Sequence, residues 1–384
     1  MKIALVASSY PPRVGGLERH VDRLARGLVA RGARVEVLTQ RSSRELPAFS
    51  EVGGVAVRRF AAPMGTGAVS PALCEYLRKT AASFDLVHVH TAHAPLALAV
   101  TRTWPRRLVF TPHAPVQRML RWPYIRVTGA VLHHAVRTAP TSTAEADLLR
   151  RRFAWGAAGV RVVPTGVDLA AVLAAQPLDG DGSSVLSVGR LERHKRVDRT
   201  IAAMAGMPPA FRLTVIGAGP ARHRLEARAW DLRVSSRVDF IGTASDELLY
   251  RWLRSARVLV CVAEQEASGL PVMEALSAGA AVVASDIPVH REAAAWVPDA
   301  PVVFVPTEGS PLRIADAICD ASRMPGPASA ALMIPSWDTV VDSTCALYEE
   351  LLAENLRGSG SAHNGVGPRG LAGDEPAPYV GLKG

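Results

Sequence analysis

Short apolar runs alternate along this 384-residue chain with segments whose apolar positions recur every three or four residues. Residues 2–7, K-I-A-L-V-A, read as a buried strand. Leu17, Val21, Leu24 and Leu28 then follow at spacings of 4, 3 and 4, the apolar stripe of a helix that Gly32 closes. Strand-like runs recur at 35–39, 86–89, 108–110, 138–140 and 161–163. Short, continuously apolar strands separated by helices predict a parallel, doubly wound sheet covered on both faces. The polar stretch Q-P-L-D-G-D-G-S at 176–183 reads as a linker. Beyond it the alternation restarts, with strands at 185–188, 212–216, 238–241, 257–262 and 281–284 and helices near 197–205, 221–231 and 246–254. The pattern predicts an α/β chain: a first domain at 1–175, a second at 184–335, a closing helix at 336–356 and a disordered tail from 357.

Residues 266–274 read E-A-S-G-L-P-V-M-E. Pro271 near the start and Gly279 past the end predict a helix from Leu270 to Ala278. Glu266 then lies in the loop before it and Glu274 about a turn inside it. Backbone N–H groups around Ser268, Gly269 and Leu270 would be free donors at the positive end of the helix dipole, an anion cradle. Upstream, V-L-S-V at 185–188 leads into Gly189, Arg190 and, after four residues, Lys195. That places two cations at a strand's C-terminal edge, where open α/β sheets bind ligands. Arg grips phosphate oxygens as a planar fork, and Lys acts as a mobile point charge.

The two segments together, in this order, resemble the retaining glycosyltransferases of family 4. Those enzymes carry G-R-L-x-x-x-K-G and E-x7-E on the GT-B fold. The resemblance covers residues 1–350 and implies two Rossmann-like domains facing across a cleft, with the last helix crossing back to the first domain and Trp337 as its anchor. It implies a nucleotide-diphospho-sugar donor. Arg190 and Lys195 would hold its diphosphate, Glu266 its sugar and Glu274 its ribose. His113, in Thr111-Pro112-His113, would lie near the sugar; His90 and His93 match more weakly. Gly15 and Gly16, after the first strand, would let the backbone approach the donor closely and adopt positive φ. Two departures stand out. Arg196 replaces the glycine after the lysine, and Thr165 replaces the Asn of a P-N-G-V-D stretch at 164–168.

Charge and cysteines narrow the reading. Residues 1–175 hold 24 Lys+Arg against 10 Asp+Glu, a net +14, so the remainder carries −5 of the overall +9. A basic first domain suits an anionic acceptor or loose contact with an anionic membrane, with Arg118, Arg121 and Arg126 as the residues to neutralise. No nucleic-acid module is readable. No apolar run approaches the ~18 residues that span a bilayer. Cys74, Cys261, Cys319 and Cys345 are scattered, which fits a reduced, cytoplasmic setting at most peripheral to the membrane. Asp179-Gly180-Asp181 has a D-x-D spacing but sits in the linker, so no metal and no cofactor is expected. The reading is sugar transfer to a hydroxyl acceptor on a polysaccharide, a lipid-linked sugar or a small metabolite. A nucleotide-sugar 2-epimerase of the same fold and a non-catalytic sugar-nucleotide binding protein are the alternatives.

Overall fold

The structure, a computed structural model, describes residues 1–360 except 62–68, 92–93, 104–107, 114–123, 154–158, 179–183 and 328–332. Its first half contains β1 (Lys2–Ala7), α1 (Gly16–Ala30), β2 (Arg34–Gln40), β3 (Phe49–Val52), β4 (Val55–Phe60), α2 (Pro71–Thr80), β5 (Leu86–Thr91), α3 (Ala94–Thr103), β6 (Leu108–Pro112), α4 (Tyr124–His134), β7 (Arg137–Thr138) and α5 (Thr143–Arg152). The second half contains α6 (Leu169–Ala174), β8 (Ser184–Val188), α7 (Val197–Ala203), β9 (Arg212–Ile216), α8 (Arg222–Asp231), β10 (Val238–Gly242), α9 (Asp246–Ser255), β11 (Val258–Cys261), α10 (Leu270–Ala278), β12 (Ala281–Ser285), α11 (Pro288–Ala295), β13 (Val302–Val305), α12 (Pro311–Arg323) and α13 (Trp337–Gly360).

Two sheets result, ordered β3-β4-β2-β1-β5-β6-β7 and β10-β9-β8-β11-β12-β13. Every pairing is parallel except β3 with β4. Strand alternation feeds a core on each face. Ala4 and Val6 of β1 pack on one side, and Ile3, Leu5 and Ala7 on the other. In the second sheet Val258 and Val260 face one core while Leu259 and Cys261 face its opposite. The last helix does return to the first domain. Val340, Val341, Leu347, Tyr348 and Leu351 share a core with Val21, Leu24 and Leu28, and Trp337 packs against it.

Several expectations change. Val167 and Val172 join the core of the second sheet, so α6 belongs to the second domain and the chain crosses before the expected linker. Residues 161–163 form no strand; Val160 makes only an isolated bridge to Thr138. The β3–β4 hairpin and the α11–β13–α12 run extend the pattern beyond the sequence reading. The last helix reaches Gly360, past the expected start of the tail at 357. The rest of the tail, His93, Arg118, Arg121 and the Asp179–Asp181 pair lie outside the described residues. Arg126 is exposed on α4. No described helix is long and apolar enough to cross a membrane.

Candidate active site

On the second-domain wall, β8 ends at Val188 and Gly189 turns with φ +146°. The chain then enters a tight turn at Arg193–Lys195 and leaves it through Arg196 at φ 52°. Glycine would adopt this left-handed position without strain. Arg196 is instead held by Glu264 at 2.6 Å and Asp198 at 3.3 Å. Lys195 Nζ donates to Glu266 Oε1 in a short contact, and both side chains are largely buried. Burial opposes charge on each group. Glu266 nevertheless holds the Lys195 ammonium above its usual range, and Lys195 with His290 holds Glu266 below its own. Gly189, Arg190, Lys195, Cys261 and Glu266 line one small cavity. The Arg190 side chain is 59% exposed, and its guanidinium pairs with Glu192 at 2.7 Å.

Glu266 and Ser268 lie in the loop that enters α10, bounded by left-handed glycines at 269 (φ 63°) and 279 (φ 91°). A Cβ at residue 269 would meet Ala293 Cβ at 2.8 Å, so the turn requires glycine for space as well as for φ. Among the described residues, the Gly269 and Leu270 N–H groups donate to no backbone carbonyl. Both therefore stay available at the helix N-terminus. Glu274, buried inside the helix, meets Arg19 Nη1 of α1 at 3.0 Å across the cleft. Arg19 Nη2 meets Asp246 at 2.9 Å, and Arg23 continues the network to Asp246 (3.4 Å) and Asp168 (2.8 Å). Burial raises the Glu274 carboxyl to about 7 against the pull of Arg19, with Asp246 adding to the rise.

On the first-domain wall, Gly15 and Gly16 open α1, but neither adopts the left-handed conformation. Gly15 is extended (φ 174°), a conformation open to any residue, and a Cβ there would meet the movable tip of the Glu18 side chain at 2.3 Å. His113 follows β6 and stands among three other histidines. His90 Nδ1 lies 3.0 Å from His113 Nε2, and the His20 ring is 4.7 Å from that of His113. His88 is engaged on both nitrogens, by Tyr348 OH at 2.6 Å and Thr111 Oγ1 at 2.8 Å. Burial depresses all four, His20 to about 4, His88 to about 3, and His90 and His113 well below the ordinary 6.5. They are neutral at pH 7.

The fold thus gathers Arg190, Lys195, Glu266, Ser268, Gly269 and Leu270 on one wall and Gly15, Gly16 and His113 on the other. Glu274 is tied across by Arg19. Sequence reading missed Arg19, His20 and Asp246. Arg19 and His20 are two polar residues one turn into α1, and only their place after the Gly-Gly loop hints at the cleft. Asp246 sits in the first turn of a helix behind Ser245, where an acid serves the dipole anyway.

The sequence matches two family models that meet within α6. "Glycosyltransferase Family 4" covers residues 14–171 and "Glycosyl transferases group 1" covers 172–322. Among curated relatives, D-inositol 3-phosphate glycosyltransferase of Acidothermus cellulolyticus is 28% identical over 88% of this chain and 86% of its own. Phosphatidyl-myo-inositol mannosyltransferase of Mycolicibacterium smegmatis is 30% identical over 76% of this chain and 78% of its own. Among solved structures, sucrose-phosphate synthase of Thermosynechococcus elongatus superposes with TM-score 0.73 at 22% identity, covering 92% of this chain and 99% of that one. Anabaena HepE in complex with UDP-glucose gives 0.71 at 18% identity, covering 93% and 100%.

Proposed function

The chain belongs to glycosyltransferase family 4 and has the GT-B fold, and from that premise we propose that it transfers a sugar, with retention, from a nucleotide-diphospho-sugar to a hydroxyl of an anionic acceptor. The observation that carries this reading is the convergence of Lys195, Glu266 and the open α10 N-terminus at one sheet edge. The diphosphate would draw on Lys195, Arg190 and the Gly269 and Leu270 amides. These groups stabilise charge as it develops on the leaving phosphate. Glu266 would bind sugar hydroxyls, Glu274 the ribose, and His113, neutral and capable of donating or accepting, would orient the sugar.

In the step, the C1–O bond to phosphate breaks and a C1–O bond to the acceptor forms on the same face. The acceptor's proton passes to the departing phosphate oxygen. Two cations and a helix N-terminus meet the diphosphate charge, so transfer should proceed without Mg²⁺ or Mn²⁺. The net +14 of residues 1–175 supports an anionic acceptor. Inositol phosphate and phosphatidylinositol, named for the relatives, are the first to try.

A thermal-shift screen of UDP-, GDP- and TDP-sugars finds the donor, since a ligand of the folded state raises the melting temperature. Incubation with the candidate acceptors in EDTA should then release nucleotide diphosphate and give a product with the donor's anomeric configuration. Sugar conversion without acceptor would replace the reading with epimerisation. Donor binding without turnover on any acceptor would make the chain a binding protein. An inverted product, or activity lost in EDTA and restored by Mg²⁺, would overturn the proposed mechanism.

A further inference from the structure

We propose that His20, His90 and His113 form a binding site for a zinc-class transition-metal cation in the first-domain wall of the cleft. The three come from separate elements, α1, β5 and the end of β6, and only the fold unites them. One ring nitrogen from each lies within 4.8 Å of one from each of the others. The ring centroids stand 4.7, 5.3 and 5.6 Å apart, so the three rings form one compact triangle. Tetrahedral zinc takes nitrogens at ~2.0–2.1 Å, which sets ligand nitrogens ~3.4 Å apart. His90 Nδ1 and His113 Nε2, now at 3.0 Å, are close to that spacing already. The cation would replace the hydrogen bond between them, and His20 would close in from at most 4.8 Å.

The ring nitrogens themselves support the site, since the ligand contact falls on the His90 Nδ1 that already faces His113 Nε2. His20 Nδ1 already meets Thr165 Oγ1 at 3.3 Å, the kind of outer contact that orients a ligand ring and leaves Nε2 for the metal. The group is all imidazole, with no carboxylate in it, so it selects zinc, cobalt, nickel or copper over magnesium, manganese or calcium. The site is therefore distinct in kind from one that would hold a metal on a diphosphate. If His113 orients the donor sugar, as proposed above, an occupied site inhibits transfer; that consequence alone rests on the proposed function, and the binding does not.

The test uses tag-free full-length protein stripped with EDTA, with Co²⁺ as an optical probe and Zn²⁺ in calorimetric competition. One equivalent should bind, giving the visible bands of tetrahedral cobalt. His20→Gln and His90→Gln should each weaken binding at least about tenfold, with circular dichroism confirming the fold. Cys261→Ser should leave binding unchanged. X-ray absorption of the wild-type zinc form, which needs no variant, should show a shell of nitrogen and oxygen only. Uptake no tighter than ~1 mM, or binding indifferent to a folded histidine variant, overturns the proposal. A sulfur scatterer does so too, because it places the cation at the second group of potential ligands, Cys261, Glu266 and His290.

Discussion

Glu274 lies 3.0 Å from Arg19, with Asp246 on the far side of that guanidinium, and burial raises its carboxyl from the ordinary 4.5 to about 7. The raised value means that the folded state holds this proton more tightly than the unfolded chain does. The contribution to stability is complete below 4.5 and is lost as pH rises through about 7. Donor binding should run the other way, because the ionised carboxylate is the stronger acceptor for ribose hydroxyls. Calorimetric titration of the donor nucleotide on either side of pH 7 should show weaker binding on the acid side, and Glu274→Gln should flatten that dependence. A pH profile identical in wild type and Glu274→Gln would remove Glu274 from the nucleotide site. On the proposed reading, Lys195 and Arg190 would act on a different quantity, the charge that appears as the phosphate leaves. Lys195→Ala and Arg190→Ala should each lower kcat about 10²-fold. Near-normal steady-state rates in both would detach the diphosphate from this cavity.

At the scale of elements, α10 depends on its N-terminal glycine. Gly269→Ala would place a Cβ 2.8 Å from Ala293 Cβ and 3.1 Å from the Val289 carbonyl, on a backbone at φ 63°. The helix must shift or strain, at about 1–3 kcal/mol. The melting temperature should fall and the donor Kd should rise, since the same backbone frames the anion cradle; an unchanged Kd would show that the cradle is not used. The crossover helix α13 is fixed differently. Tyr348 is fully buried, and its hydroxyl meets His88 Nδ1 at 2.6 Å. Tyr348→Phe leaves a buried ring nitrogen without that contact, which should cost about 1–3 kcal/mol in denaturant unfolding. Equal stability of the two proteins would mean that packing alone holds the helix. Gly27 of α1 completes this contact, for a Cβ there would reach 2.4 Å from Val341 Cγ2.

Across the whole molecule, polar groups clasp the two domains. Besides the Arg19 and Arg23 network, Glu292 of α11 accepts from the Thr143 and Ala144 N–H groups at 2.6 and 2.9 Å, capping α5 of the other domain. Charge is divided between the halves, with +14 in residues 1–175 and −5 in the rest. Attraction of an anionic acceptor or vesicle to the basic half, as proposed, would be long-ranged and screened by salt. Transfer, or sedimentation with anionic vesicles, should decline as ionic strength passes ~0.15 M, where the Debye length is about 8 Å. Neutralising exposed Arg126 should weaken it further. Transfer insensitive to salt, with no vesicle binding, would leave those arginines a purely solubilising role.

Much of this architecture is written locally. Pro271 and Gly279 mark the ends of α10 to the residue, and the 4-3-4 stripe of α1 and the apolar runs of both sheets specify their elements because burial periodicity is a property of neighbouring positions. The cation and carboxylate segments were legible because each is a short loop at a strand end, where spacing along the chain is nearly spacing in space. What the sequence left open are relations between distant segments. The placement of α6 in the second domain depends on which core Val167 and Val172 enter, and they are apolar enough for either. Arg19 reads as a helix-surface charge until α10 brings Glu274, 255 positions away, against it. His20, His90 and His113 have no metal-like spacing, since β5 and β6 are neighbours only through sheet order and α1 covers them only through packing. Local chemistry determined the elements and the loops; the pairing of charges across the cleft and the gathering of imidazoles on one wall were decided by the tertiary structure, because contact distance there is unrelated to distance along the chain.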